Sequence, residues 1–430
     1  MSGFFNIRAW VGVLLFACGI MPAVAANPFQ TIPWNGYSGA ASFTFDDGVF
    51  QVEHLPQMLE EMPEVKVTFF LSNMGADILN LYGAEFAYLA RQGHEIGNHS
   101  NNHKHLTSLS ENNLRKEVID FANEIQQVLN SYGADVNITS NALPFSANSE
   151  QVSKVVNERH FINRSSWGNG RHNWDEEPRW TDMDSRAWYS WPNAEEDLLK
   201  ALDTAAYIGD FTSSNPWYNP VKSPAWVVLL NHGVSYMGEN HITPEAMRNA
   251  FKHAVENNMW VAPFSTVGAY YRAHFTLDAA QAVAEGNDKY TVTWEMPHKD
   301  MPKSIPMKVK LTPQFIEETF GQDDSIVLEQ DGNTIYPDEN GVFTIEFASQ
   351  QVTIRKASKS ANMKPYSVLS IKKQVSLAPN ENITYTLMDM KGNRLGETNG
   401  FEVPAHQPKG AYIIRAAAPG FAPVTRKVFR

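Results

Sequence analysis

Two short stretches hold the residue types that metal-assisted hydrolysis needs. Thr44-Phe45-Asp46-Asp47-Gly48 ends an apolar, strand-like run from Ala41 with two adjacent carboxylates and a glycine turn. His99-Ser100-Asn101-Asn102-His103 sets two imidazoles four residues apart, a spacing that on a helical turn brings both to one side. One carboxylate and two imidazoles make a three-ligand set with open positions, as a catalytic metal requires. The remaining carboxylate would then sit beside the metal, free to act as a base. Either stretch alone has a plainer reading, a turn with an Asx-type hydrogen bond or an exposed helical His pair. Their combination carries the chemistry.

The elements that must present these groups alternate between strand-like and helical from Asn27 to about His274. Val65 to Leu71, Trp226 to Leu230 and Trp260 to Phe264 are apolar strand candidates. Ala76 to Gln92 has helical spacing through Ile78, Leu81, Phe86 and Leu89, and Leu114 to Leu129 repeats apolar residues at three and four. Ser108 with Glu111 has the capping-box pattern, and Thr243-Pro244 reads as N-cap and first-turn proline. Repeated strand–helix units imply a parallel sheet, in a barrel arrangement, with functional residues at the C-terminal strand ends. Asp46, Asp47 and His232 fall there.

After His274 the pattern changes to short alternating segments, Lys289 to Trp294, Met307 to Thr312, Ser325 to Gln330, Gly341 to Phe347 and Val352 to Arg355. Turn signals such as Asp331-Gly332-Asn333 separate them, as in a small β-sandwich. A second β-rich unit begins near Ala361 and includes Ile383 to Leu387 and Ala411 to Arg415. The expected organisation is therefore a signal peptide over 1–25, a catalytic α/β domain over 27–274, a β-sandwich over 275–360 and a C-terminal β domain over 361–430.

Bulk composition narrows the function. Across 430 residues the formal net charge is -12, which with no basic stripe argues against a nucleic-acid groove. Arg8, the apolar run Trp10 to Ile20 and Ala23-Val24-Ala25 form a secretory signal peptide, not a membrane span, so a secreted, cell-surface or periplasmic location is expected. The only cysteine, Cys18, lies within it, and the mature chain would have neither disulfides nor thiol chemistry. Phe16 fits poorly before a lipid-anchored Cys18. Eleven tryptophans, several between Trp167 and Trp191, suit either a carbohydrate cleft or ordinary loop packing.

The residues resemble the polysaccharide deacetylases, also called the NodB-homology domain or carbohydrate esterase family four, over roughly residues 35 to 274. The first motif, Thr-Phe-Asp-Asp-Gly, stands unchanged at Thr44 to Gly48, and the second, His-(Ser/Thr)-x-x-His, at His99 to His103. The resemblance implies a distorted (β/α) barrel and one divalent metal, zinc first and Co2+, Mn2+ or Ni2+ as alternatives. Asp47, His99 and His103 would be the ligands and Asp46 the general base. Leu229-Leu230-Asn231-His232 matches the Leu-x-x-His motif and makes His232 the general acid. Ala142-Leu143-Pro144-Phe145-Ser146 matches the third motif in part, and Ala142 stands where an arginine often orients the base. Phe145 would give its backbone N–H to an oxyanion hole, and Pro144 and Trp167 would line the substrate groove. Ser166-Trp167 aligns best with the fourth motif but lacks its carboxylate, for which Asp175 and Asp184 are candidates. The final unit resembles more loosely the sorting domains of type IX secretion, through Tyr385 to Asp389, Lys409 to Arg415 and Arg426 to Val428.

The function so implied is removal of acetyl groups from an acetylated polysaccharide or oligosaccharide, by a monomer with no nucleic-acid partner and no membrane span. Ester substrates such as acetylated xylan and amide substrates such as chitin oligomers or peptidoglycan use the same groups. The alternative is a non-catalytic carbohydrate-binding protein on a degenerate deacetylase scaffold, suggested by Ala142. A non-haem iron oxygenase also uses two histidines and a carboxylate, but usually with His-x-Asp order.

Overall fold

The computed structural model describes residues 24–25, 27–48, 51–74, 76–166, 168–187, 194–207, 223–236, 241–286, 288–321, 326–357, 384–388, 394–398, 411–417 and 424–429. They fall into two compact units, Met1–Ala357 and Ser358–Arg430.

The first unit is built on a mostly parallel sheet. Its strands are β2 (Ala40–Asp47), β3 (Thr68–Leu71), β4 (Glu95–Asn98), β5 (Ser140–Ala142), β6 (Ile162–Arg164), β7 (Arg171–Asn173), β8 (Arg186–Ala187), β9 (Ala225–Asn231) and β10 (Trp260–Val261), preceded by β1 (Phe29–Thr31) in another sheet. The order is β6-β5-β4-β3-β2-β9-β7, with only β7 antiparallel to its neighbour. Residues 183–187 complete the circuit, since Met183 bridges Arg164 of β6 while β8 pairs with β9. This is a distorted (β/α) barrel, with α1 (Leu55–Glu61), α2 (Ile78–Arg91), α3 (Glu111–Arg115), α4 (Phe121–Ser131), α5 (Glu150–Asn157), α6 (Ala194–Ala205), α7 (Pro244–Glu256) and α8 (Phe264–Asp278) as its helices.

Strand parity decides what faces the interior. Ala41, Phe43 and Phe45 of β2 join the apolar layer shared with α2, α4 and α7. Side chains alternate along a strand, so Ser42, Thr44 and Asp46 point the other way, toward the interior that also holds Phe70, Ala142 and Trp226. Local signals set the helix starts. Thr243 caps α7 by accepting from the Ala246 N–H at 3.3 Å, as its sequence suggests. The capping box expected at Ser108 does not form: Ser108 lies in a 3-10 turn and donates to the His105 carbonyl, and α3 starts after Ser110.

The region expected as a separate sandwich after residue 274 is continuous with the barrel. The anticipated boundary lies inside α8, whose Tyr270, Tyr271 and Leu277 are buried in one apolar cluster with Met307, Val309, Phe315 and Phe347. One sheet contains β11 (Ala282–Gly286), β12 (Lys289–Thr293), β14 (Ile326–Gln330), β15 (Asn333–Ile335) and β17 (Gln351–Lys356). A second joins β13 (Pro306–Leu311) to β16 (Phe343–Glu346) and to β1, so a strand from ahead of the barrel completes the accessory layer. The helix α9 (Pro313–Thr319) lies between β13 and β14 and interrupts the expected all-β run. Within the expected signal peptide, Val24 and Ala25 pair with Val283 and Ala282, and its other residues lie outside the described ones.

The second unit is an antiparallel sheet of β18 (Thr384–Met388), β19 (Arg394–Thr398), β20 (Ala411–Ala417) and β21 (Val424–Phe429), in the order β19-β18-β20-β21. A chain ending at residue 357 is expected to unfold cooperatively. One ending at residue 274 removes partners of a continuous core and should be insoluble or lack a cooperative melt. Calorimetry of the two truncations checks this.

Candidate active site

Asp46 and Asp47 occupy the C-terminal end of β2, paired with Phe70 and Leu71 of β3. Interior-facing Asp46 is buried, and one terminal nitrogen of Arg164 donates to its Oδ1. Burial alone would raise the Asp46 pKa, but the charge of Arg164 first, then those of His99 and His232, holds the carboxyl below its ordinary value. Asp47 has left-handed backbone, φ 76°, a conformation Asp tolerates better than most residues, and Gly48 continues it at φ 93°. Burial, then the neighbouring Asp46 charge, pushes the Asp47 carboxyl up to about 6.

The two imidazoles come together on a loop and not on a helical turn. Ser100 and His103 take φ values of 61° and 48°, which no right-handed helix allows. His99 follows directly on β4, and its Nδ1–H donates to the Ala142 carbonyl at 2.9 Å, leaving the Nε2 lone pair facing the carboxylates. That Nε2 is 3.6 Å from Asp46 Oδ2 and 3.7 Å from Asp47 Oδ1, and His103 Nε2 is also 3.7 Å from Asp47 Oδ1. Burial lowers the pKa of both imidazoles, that of His99 to about 4, so they are neutral at pH 7.

Ligand atoms of Asp47, His99 and His103 lie within 4.8 Å of one another, and buried Asp47 Oδ1 has no hydrogen-bond partner. A neutral His pair around an unsatisfied carboxylate oxygen fits a divalent ion, whose bonds of about 2.0–2.2 Å would satisfy all three donors. A π-helical turn, Lys116–Asp120, holds the loop. Its buried Glu117 accepts from the Asn102 N–H at 2.7 Å and from Asn102 Nδ2 at 2.9 Å, while its carbonyl accepts from the Asn101 N–H at 3.0 Å.

His232 follows β9 directly, and the register Asn231 to Phe45 brings it beside Asp46. Its charge bears on both carboxylates. Gln51, which sequence reasoning passed over, ties the two together: its Nε2 donates to the carbonyls of Asp46 and, at 3.0 Å, of His232. Phe145 has φ 55°, is half exposed, and packs its ring 4.6 Å from His103 and 4.2 Å from His105. His105 is thus one face of an exposed aromatic stack.

Other expectations come out differently. Pro144, expected to line a substrate groove, is buried in the turn that carries Phe145. Trp174 is core, enclosed by Trp34, Tyr271 and His274, and offers no platform to a sugar. The charge of Asp175 bears on Tyr271 and His274. Asp184 is half-buried beside Gly168, and burial raises its carboxyl pKa. Ser166 exchanges a hydrogen bond with Ser146, whereas Trp167, Trp188 and Trp191 lie outside the described residues. His94 is buried and structural, its Nδ1 accepting from the Val67 N–H at 3.2 Å. The residue with no warning in the sequence is Arg164, which meets the Asp46 carboxylate that Ala142 cannot reach.

Residues 37–161 match the family model described as polysaccharide deacetylase. A peptidoglycan-N-acetylglucosamine deacetylase of Bacillus cereus is 31% identical over 100 residues, 23% of this chain and 33% of that protein. The match spans a third of that relative's length. Among solved structures, a carbohydrate esterase family four domain of a xylanase from the hindgut metagenome of Trinervitermes trinervoides overlaps at TM-score 0.34 and 16% identity, covering 53% of this chain and 89% of that one. The chitin deacetylase of Colletotrichum lindemuthianum overlaps at TM-score 0.36 and 14% identity, covering 55% and 91%.

The titration of the ligand set predicts a pH dependence for metal binding. A proton occupies Asp47 below about 6 and must leave before an ion can bind, whereas His99 begins to compete only near 4. Zinc affinity should therefore be level above pH 7 and fall roughly tenfold per unit below 6. Competition titration against a chromogenic chelator from pH 5 to 8 measures it; a flat affinity down to pH 5 contradicts the assignment.

Proposed function

We propose that the chain is a metal-dependent hydrolase that removes acetyl groups from polysaccharide, with Asp46 as general base and His232 as general acid. The carrying observation is the division between the two adjacent carboxylates: Asp46 Oδ1 is taken by Arg164, and unpartnered Asp47 Oδ1 faces two neutral imidazoles. Asp47, His99 and His103 would hold a divalent ion, zinc by the preference of such donors, which when bound would supply acidified water and polarise the acetyl carbonyl. Asp46 accepts the water proton at Oδ2, the oxygen its arginine leaves open. The water oxygen bonds to the acetyl carbon, and the Phe145 N–H donates to the carbonyl oxygen as negative charge gathers there. His232 gives its proton to the departing sugar nitrogen or oxygen as the acyl bond breaks, releasing acetate. No side-chain nucleophile takes part.

The name of the Bacillus cereus relative supports an N-acetylglucosamine polymer as the first substrate to offer, and acetylated xylan is the second. The exposed Phe145 and His105 rings suit a sugar face. We assign the chain to the secretory route on the strength of Arg8, the apolar run to Ile20 and Ala23-Val24-Ala25, with the C-terminal sheet as a sorting unit, and expect it to act as a monomer. No helix among the described residues is long and apolar enough to cross a membrane. The buried guanidinium on Asp46 favours catalysis over the binding-protein alternative, because a merely binding groove has no use for an oriented buried carboxylate.

Acetate release by the zinc-loaded mature protein tests the proposal on both substrates. Asp46→Asn should lower turnover by about 10^2–10^4-fold with zinc still bound, and a chelator should abolish release until zinc is restored. Undiminished release by Asp46→Asn, or none by the wild type with zinc bound, would overturn it.

A further inference from the structure

Resting on that reading, we propose that Arg164 is the positioning residue for the Asp46 base, taking over from β6 the place that Ala142 on β5 leaves empty. Ala142 and Arg164 are direct partners in the parallel β5–β6 ladder. Neighbouring strands lie about 4.8 Å apart and register partners share a face, so both side chains enter the same interior. Ala142 contributes only a methyl group there and is fully buried, leaving the space between β5 and Asp46 open for a longer side chain from the next strand.

The path of Arg164 is shaped along its length. The sheet order sets β6 four strands from β2, so the side chain spans the barrel interior to reach Asp46. Its guanidinium lies 5.0 Å from the centre of the Phe70 ring, a cation–π contact strengthened by the absence of water. Phe70 pairs with Asp46 on one side and Gly97 on the other. A Cβ on Gly97 would stand 2.5 Å from Phe70 Cδ1, so the glycine is what lets the ring lie where the guanidinium covers it. At the far end one terminal nitrogen donates to Ser185 Oγ at 3.2 Å and the other to Asp46 Oδ1. Arg164 is 1% exposed and its only ion-pair partner among the described residues is Asp46, not Asp47.

This arrangement gives two adjacent carboxylates different partners. A planar guanidinium anchored at both ends fixes the carboxylate it touches. Oδ1 of Asp46 is occupied, Oδ2 stays 3.6 Å from His99 Nε2, and Asp47 is left for the ligand set. A buried ion pair that served stability alone would act on folding without separating turnover from binding. The two roles therefore part in kinetics.

The test uses the zinc-loaded full chain with Arg164→Ala, Arg164→Lys, Ala142→Arg and the exchange Ala142→Arg/Arg164→Ala. Kinetics of acetate release, zinc affinity and melting temperature are read for each. Arg164→Ala should lower kcat by about 100-fold, the effect expected of a base misplaced by an ångström, with KM and zinc affinity within about threefold of wild type. Arg164→Lys should recover part of the loss, and the exchange variant should exceed Arg164→Ala by at least about tenfold because an arginine again reaches Asp46. Wild-type kcat in Arg164→Ala, a parallel loss of zinc, or no gain in the exchange variant overturns the proposal.

Should the wild type itself release no acetate, the hydrolase reading fails, and the Arg164–Asp46 relation is judged by melting temperature alone. Arg164→Ala should then destabilise by several degrees, and Arg164→Ala/Asp46→Asn should regain most of it, since neutralising Asp46 removes the stranded charge. Additive losses in that cycle sink the inference on its own ground.

Discussion

Two carboxylates one residue apart at a strand end repel each other in a buried site, and the protein must give them different partners before either can work. Strand parity begins the separation by sending Asp46 inward with Ser42 and Thr44. The left-handed backbone at Asp47, φ 76°, then turns the second carboxylate away toward the imidazoles. Arg164 completes it from the opposite side of the interior. With these partners one carboxyl is held as an anion and the other faces two neutral imidazoles, the division that the proposed base and ligand roles require.

Strain and burial concentrate around that division, and rigid elements bear them. Ser100 and His103 are left-handed non-glycine residues, each costing roughly 1–3 kcal/mol. The hydrogen bonds from Asn101 and Asn102 to Glu117 offset part of this, and the π turn that carries Glu117 is itself wedged beneath the loop. Gln51 links the carbonyls of Asp46 and His232, so displacement of one strand end carries the other with it. Beneath them β9 pairs with Ala40 to Phe45 of β2 and β3 with Thr44 to Asp47, which leaves the Asp46 backbone little freedom to drift.

The legible parts of this design are local. Apolar runs and helical periods between Asn27 and His274 announce the strand–helix alternation, and Asp46, Asp47, His99, His103 and His232 stand in patterns readable one segment at a time. What escaped reading depends on contacts distant in sequence. Arg164 lies 118 residues from its carboxylate, on a short strand with no motif to mark it. The four-residue His spacing suggested a helical turn, but the Asn98 side chain accepting from the Ser100 N–H and the grip of Glu117 favour a left-handed loop. A boundary at residue 274 looked natural because the period changes soon after, yet α8 runs to Asp278 and its core continues into the accessory sheets. The strand Phe29–Thr31, which completes one of those sheets, gives no sign in its own composition of a partner near Val309.

The central claim, that Arg164 and the imidazoles assign the two carboxylates to separate duties, is tested most directly by a crystal structure of the zinc-soaked protein with anomalous data at the zinc edge. The account predicts one anomalous peak bonded to Asp47 Oδ1 and to the Nε2 atoms of His99 and His103, with Asp46 outside the ligand set and still paired to Arg164. A peak coordinated by Asp46, with Arg164 withdrawn or turned to Asp47, would contradict it.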